Sequence, residues 1–195
     1  MIRKAAAFLL VLTLAVAAQS QASQWEFDTA HTGIEFKVKH LAITNVRGSF
    51  ETFSGMVNYD EKDITQSSIQ VTIDAASINT LNDQRDNHLR SPDFFDVKQY
   101  PQLTFVSKQI EKTGAGLKIT GDLTIHGVTK EVILNVEGPT PPIKSPMGDI
   151  RMGATATAGI NRTDFGLTWN KIMETGGLLV GENVAITIEA ELVRK

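Results

Sequence analysis

The stretch LKITGDLTI puts Leu117, Ile119, Gly121, Leu123 and Ile125 on one face of an extended chain and Lys118, Thr120, Asp122 and Thr124 on the other. A helical repeat would scatter these residues around its axis, whereas a strand side-chain period of two sorts them into an apolar and a polar face. The same alternation returns in VAITIEAEL, where Val184, Ile186, Ile188, Ala190 and Leu192 oppose Ala185, Thr187, Glu189 and Glu191. It returns again in GIEFKVKH (Ile34, Phe36, Val38) and SIQVTIDA (Ile69, Val71, Ile73), and more weakly in QLTFVSK and VTKEVILNVE. The segment 48–60, GSFETFSGMVNYD, is apolar on both faces, and 153–161, GATATAGIN, is built of small residues. This pattern predicts about eight strands joined by turns.

Turn chemistry agrees with that division. His126-Gly127 supplies two residues that tolerate the positive φ of a tight hairpin, and KTGAG (112–116) reads as a second turn. GPTPPIKSPMGD (138–149) holds four of the six prolines and is expected to be a loop, as is the glycine-rich METGGLLVGEN. Antiparallel strands in this number are expected to close, because closure removes exposed edges. An eight-stranded barrel is just wide enough to be filled by its own side chains or to hold one small ligand. The expected fold is therefore all-β, an eight-stranded antiparallel barrel. An outer-membrane barrel would turn the apolar face outward instead. Against that stand the scarcity of Trp and Tyr (two of each), a last strand ending ELVRK, and a charged insert in mid-chain.

That insert is RDNHLRSPDFFDV, residues 85–97. NDQRDNHLR places Leu81, Arg85, His88 and Leu89 on one helical face and predicts an Asp86–Arg90 pair at i, i+4. Ser91 and Pro92 read as the N-cap and first residue of a second, very short helix carrying Phe94 and Phe95. The other break in the strand pattern, NRTDFGLTWN (161–170), reads as a turn carrying an aromatic.

The N-terminus has the grammar of a secretory leader. Arg3 and Lys4 precede an apolar stretch from Ala5 to Ala18, and Ser20-Gln21-Ala22 offers small residues at a cleavage site. The stretch is 14 residues long, whereas a transmembrane helix needs about 20. Residues 1–22 are thus expected to be a signal peptide, and 23–195 a single domain working in the periplasm or secreted, with no membrane segment once the leader is removed. The chain contains no Cys, so neither a lipid-anchored cysteine nor a disulfide is available, and the fold must rest on its core. Its net charge is −3, and loss of Arg3 and Lys4 makes it more acidic. Such a balance argues against nucleic acid as a partner, which calls for a basic patch.

No catalytic or metal-binding constellation emerges. His31, His40, His88 and His126 are scattered, with no pair at ligand spacing. Asp86 and His88 at i, i+2 do not face each other on a helix, Ser91 lacks a nucleophile-elbow context, and TGAG and GGLLVG lack the strand–loop–helix setting of a phosphate loop. Attention passes to the interior. Ala154, Ala156 and Ala158 stand where a packed barrel would call for larger residues. Either Phe36, Phe50, Phe53 and Phe105 cross the lumen and fill it, or the wall encloses an elongated apolar tunnel.

The segments FKVKHLAITNVRGSF (36–50), RDNHLRSPDFFDVKQYPQLTF (85–105), GDLTIHGVTKEV (121–132) and INRTDFGLTWN (160–170) occur in the order of the motifs of the YceI-like proteins, which the chain resembles over essentially its whole length after residue 22. The resemblance implies a lipocalin-like barrel with a short helical insert that holds a polyisoprenoid or quinone-like lipid, with no catalysis and no other cofactor. On this reading Phe36, Val38, Phe50, Phe53, Phe94, Phe95, Phe105, Leu123 and Trp169 form the wall and mouth, and Arg85 and His88 meet the polar head. Two other readings stay open: a small lipid-acting enzyme, or a packed-core stress-response or interaction module. The lipid is the expected partner, and pairing of two barrels into a homodimer is compatible with the sequence.

Overall fold

The computed structural model describes residues 22–195 apart from Ala115 and Thr175. The leader read at residues 1–22 lies, but for Ala22, outside the described residues. Strands β1 (Ser23–Phe27), β2 (Gly33–His40), β3 (Thr44–Phe50), β4 (Phe53–Tyr59), β5 (Ser68–Asp74) and β6 (Ile78–Asn79) precede the helix α1 (Asp83–Arg90). Strands β7 (Gln102–Thr113), β8 (Gly116–Ile125), β9 (Val128–Glu137), β10 (Ile143–Lys144), β11 (Ile150–Asn161) and β12 (Val180–Arg194) follow it.

All pairings are antiparallel, and the order of the sheet returns on itself through β11–β12. Three of the wall's strands are broken in two. Both β1 and β2 lie on the same edge of β12, β1 against Leu192–Arg194 and β2 against Val180–Glu189. In turn β4 lies on β1 and β3 on β2, while β5 lies on β4 and β6 on β3. Counting each broken pair as one strand, the ring runs β1/β2, β3/β4, β5/β6, β7, β8, β9, β11, β12 and closes on the first. This is a closed eight-stranded up-and-down barrel in which neighbours in sequence are neighbours in space. The segment 48–60, apolar on both faces, thus divides into the end of β3 and the whole of β4.

The breaks line up. The Thr32 hydroxyl donates to the Glu191 carbonyl (3.2 Å) and accepts from the Glu191 N–H (3.0 Å), filling in for the ladder where β1 passes into β2. At the next break Asp74 N–H donates to Thr52 O (2.9 Å) and Glu51 N–H to Ser77 O (3.2 Å). Bending one strand alone would leave its neighbours' backbone groups unpaired, so adjacent strands bend together.

Each alternating strand turns its apolar face inward. Along β8, Leu117, Ile119, Gly121 and Ile125 are buried while Lys118, Thr120, Asp122 and Thr124 are only partly covered. The outer face carries Lys37, Lys39, Thr157 and Glu182, all exposed, and this charged exterior is the opposite of a lipid-facing barrel. Among the described residues no helix is long and apolar enough to cross a membrane. The expected hairpin turns form: Ile125 pairs Val128 with His126 and Gly127 at φ 52° and 73°, and Thr113 pairs Gly116. The proline-rich loop carries the short β10, paired to Ile150 and Arg151.

The insert differs in two respects from its expected form. The Asp86–Arg90 pair does not form, because both side chains are drawn to the backbone of 76–80. Asp86, 4% exposed, accepts from Thr80 N–H (2.9 Å) and Thr80 Oγ1 (2.5 Å). Arg90 forks to Ala76 O and Ile78 O (2.7 Å each). The second helix is also absent. Ser91 ends α1 as its C-cap, its Oγ bonding back to His88 O (2.7 Å), and 92–95 continue as turns. Asn82 caps the N-terminus of α1 by accepting from Arg85 N–H (2.9 Å).

These bonds clamp α1 to the barrel rim. Asp86→Ala is expected to leave two Thr80 donors without their acceptor and to lower the unfolding free energy by about 1–3 kcal/mol. Urea denaturation of the two proteins measures this.

Candidate functional site

Strand direction sorts the connections between the two ends of the barrel. The 60–67 and 113–116 turns and the 138–149 loop lie at one end, and Lys112 Nζ stands 3.9 Å from Asp63 there. The β2–β3 turn, the α1 insert, the His126-Gly127 turn and the segment 162–179 lie at the other. Tyr100 of the insert packs on His126 with ring centroids 4.5 Å apart, and Leu41 N–H bonds Leu179 O (2.9 Å).

Between these ends runs a cavity of about 270 Å³. It extends from Tyr59, Ile64, Ser67 and Pro139 at the first end to Leu89, Phe94, Phe95 and Val180 at the second. Its wall is almost wholly apolar, and it includes the small residues Ala154, Ala156, Ala158 and Ala190. The alanine strand therefore faces the lumen and is not filled from across it.

The reason lies in where the phenyl rings rest. Ideal Cβ atoms placed on Gly48 and Gly121 would lie 2.4 Å from the rings of Phe36 and Phe105, and one on Gly55 would lie 2.7 Å from Phe27. Each ring lies against the bare backbone of a neighbouring strand. A phenyl that lies on the wall occupies the place of a missing side chain instead of projecting across the barrel. Phe36 and Phe105, two of the rings expected to fill the lumen, thus lie along its wall, which favours the tunnel over a packed core.

Of the residues expected at the site, Phe36, Val38, Phe50, Phe53, Phe94, Phe95, Phe105 and Leu123 are brought together in the cavity wall. Arg85, His88 and Trp169 stand outside it. Arg85 donates from Nε to Thr80 Oγ1 (2.7 Å) and from Nη2 to Thr80 O (2.8 Å). His88, with its side chain 39% exposed, bonds Asp93 Oδ2 (2.8 Å) and meets Trp169 and Phe94 edge-on, with centroids 4.8 and 5.1 Å away. Trp169 packs on Phe94 (5.2 Å) and so backs the cavity wall without entering it. The same wall also contains Phe27, Val71, Ile110, Ile119, Ile186 and Ile188, which the sequence pattern had not singled out as site residues. The inward set of each alternating strand names most of them. Arg162 was also missed. It is 4% exposed, contributes to the wall, and donates to Gly181 O (2.9 Å), Val180 O (3.3 Å) and Leu167 O.

One group of potential metal ligands exists among the described residues, Asp28, His31 and Glu191, at the β1–β2 break. A guanidinium occupies its centre. Arg151 Nη1 bonds Asp28 Oδ2 (2.5 Å) and Glu191 Oε1, and Arg151 also pairs with Asp149 (2.7 Å). Hydrogen bonds from His31 and Arg151 hold the Asp28 carboxyl well below the usual carboxylate range, and those from Arg151 and Ser145 lower Asp149. The bond to Asp28 raises His31. The arrangement is a charge network that fastens the break to β11 and β12.

The fold and the cavity define a closed antiparallel barrel built around an elongated apolar cavity. The chain belongs to the YceI-like domain family, whose model matches residues 25–192. It is 39% identical over 170 residues to the UPF0312 protein SAS2572 of Staphylococcus aureus, covering 87% of this chain and 96% of that one. Among solved structures, a Campylobacter jejuni YceI protein matches with TM-score 0.68 at 37% identity, covering 86% of this chain and 96% of that one. Burkholderia cenocepacia BcnA matches with TM-score 0.69 at 27% identity, covering 85% and 98%. A polyisoprenoid binding domain from Saccharophagus degradans shares the fold at TM-score 0.62 and 17% identity, covering 88% and 98%.

The charge network carries a pH dependence of definite sign. His31 has a raised folded pKa, so its contribution is complete below the ordinary histidine value of about 6.5 and is lost as pH rises through the raised one. Asp28 and Asp149 behave oppositely. Their contribution is present above the ordinary carboxylate value of about 3.9 and is lost as pH falls through the lowered ones. His31→Gln is therefore expected to lower the melting temperature more at about pH 5.5 than at about pH 8.5. Thermal melts of both proteins at the two pH values check it.

Proposed function

We propose that the protein is a non-catalytic carrier that holds a long-chain polyisoprenoid or similar lipid inside the barrel, in the periplasm or outside the cell. The observation that carries this reading is the end-to-end apolar cavity, kept open by phenyl rings lying on glycine and by a strand of alanines. A chain buried along it gains about 25 cal/mol per Å² of apolar surface removed from water. The Saccharophagus domain named for polyisoprenoid binding lends the reading only its fold. The leader-like residues 1–22 support work outside the cytoplasm. Binding is favoured over turnover because the polar groups of the insert are engaged in structural bonds, Asp86 and Arg85 with Thr80 and His88 with Asp93. A packed-core module is disfavoured by the open lumen.

Organic extraction of freshly purified protein, followed by mass spectrometry, is expected to yield a prenyl or other long-chain lipid. Ala158→Phe, which places a ring in the lumen, is expected to keep the fold while weakening binding of a fluorescent prenol about tenfold or more, or about 1.4 kcal/mol. A ligand-free extract, together with failure of delipidated protein to bind that prenol, would sink the carrier reading.

A further inference from the structure

Two ladders of the ring stop short: between β5 and β7 pairing ends at Gln70–Val106, and between β9 and β11 it covers three register pairs. The ladder between β9 and β11 consists of Glu137–Thr155, Val136–Ala156 and Asn135–Thr157, and then stops. Beyond it, β9 from Val128 to Leu134 and β11 from Ala158 to Asn161 have no partner on the edges that face each other. Nine register pairs join β8 to β9 and eleven join β11 to β12, and the edge of β7 left beyond Val106 is covered by the turn 64–66, where Ile64 packs against the cluster that holds Ile110.

The seam is a cleft between two strand edges, closed toward the lumen by side chains. It is lined by the outward-facing Glu131, Ile133 and Asn135 of β9, by the exposed Lys130 and by Lys118 of β8, and also by the inward-facing Val132. On β11 it is lined by Gly159 and Asn161 and also by the inward-facing Ile160. A groove that touches both faces of two strands lies between their edges. Val132 and Ile160 line the lipid cavity as well, so these two side chains stand between the cleft and the lumen. The cleft's outer side is clear: a Cβ on Gly159 would have nothing within 4 Å, and Ile133 is 47% exposed. The turn Arg162–Phe165, with Phe165 1% exposed, closes the seam at its upper end.

We propose that this seam is a lateral entrance to the cavity, with Val132 and Ile160 as its gate, through which the apolar chain of the ligand passes. The proposal rests on the carrier reading above and adds the route. Along the paired parts of the wall lateral entry would have to break ladder hydrogen bonds, and the unpaired edge of β7 is covered by the turn 64–66, whereas between β9 and β11 above Asn135 and Thr157 there is neither ladder nor cover. What has to move is two aliphatic side chains, and rotamer changes are fast compared with strand separation. The apolar Ile133 at the outer lip gives an arriving hydrocarbon its first contact before Val132 and Ile160 part.

The chain contains no Cys, so a single introduced thiol is labelled alone. Ile133→Cys and Gly159→Cys are each made in the full protein, delipidated and coupled to a bulky maleimide. Both positions point outward, and circular dichroism checks the fold. Ile43→Cys at the β2–β3 turn, carrying the same label, tests the end of the barrel. The readout is the stopped-flow association rate of dansyl-labelled farnesol. Labels at the seam are expected to slow uptake about fivefold or more and to leave the equilibrium affinity within about twofold, since entry and exit share the route. The label at Ile43 is expected to leave the rate unchanged. Ile160→Ala, which thins the gate, is expected to speed both uptake and release. Unchanged rates at both seam positions, or slowing by the Ile43 label alone, would overturn the lateral route while leaving the carrier reading intact. Failure of the unlabelled protein to bind the probe would remove the carrier reading, and the route with it.

Discussion

The barrel depends on β12. Its 15 residues are paired along one edge with β11 and along the other first with β2 and then with β1. No other strand joins the start of the wall to its end, so the ring exists because this ladder forms. Its inward residues Val184, Ile186, Ile188, Ala190 and Leu192 then face the lumen together. The same strand receives the Thr32 bridge at Glu191 and, through Glu191 and Arg151, the charge network that holds the β1–β2 break. Closure and the bending of the wall are thus fixed at one place.

Closure alone would produce a filled barrel, since eight strands enclose little more than their own side chains. The cavity exists because bulk is distributed unevenly. Glycines at 48, 55 and 121 let the rings of Phe36, Phe27 and Phe105 lie along the wall, and alanines at 154, 156 and 158 remove bulk from another sector. A ring on a neighbouring glycine keeps its buried area and its contacts, so the wall stays well packed while the lumen keeps its volume. Stability and capacity are supplied by different layers of the same side chains.

How much of this could be read beforehand follows from what alternation encodes. It names the inward face of β8 and β12 residue by residue, and it names the turn at His126-Gly127 because positive φ is a local demand. The break in the alternation at 85–97 marked the insert, and the family resemblance added the lipocalin-like form. The breaks at 28–32, 51–52 and 75–77 were not legible, since each is set by partners far away in sequence, such as Glu191 for Thr32. That Arg85 and His88 stand outside the cavity wall was not legible for a related reason. A helical wheel shows that they share a face but not what that face meets, and here Arg85 meets Thr80 while His88 meets Asp93 and two aromatic rings. Phe94 and Phe95 were placed correctly in the wall, although the helix expected to carry them is a set of turns.

Arg162 shows how a cost in one layer serves another. Burial pulls the pKa of its guanidinium below the ordinary value, and no carboxylate lies in salt-bridge range among the described residues. A buried cation without a counter-ion is costly unless its donors are satisfied. Here the backbone satisfies them, through the carbonyls of Leu167, Val180 and Gly181. Two of these open β12, and Asn170 bonds the same Val180 through both its N–H (3.1 Å) and its carbonyl (2.7 Å). The β12–β2 ladder shifts register between Val180 and Val184, so carbonyls there are left for side-chain donors. Arg162 and Asn170 therefore tie the 162–170 turn to the first residues of the strand that closes the ring, and they do so at the end of the cavity where the wall would otherwise fray.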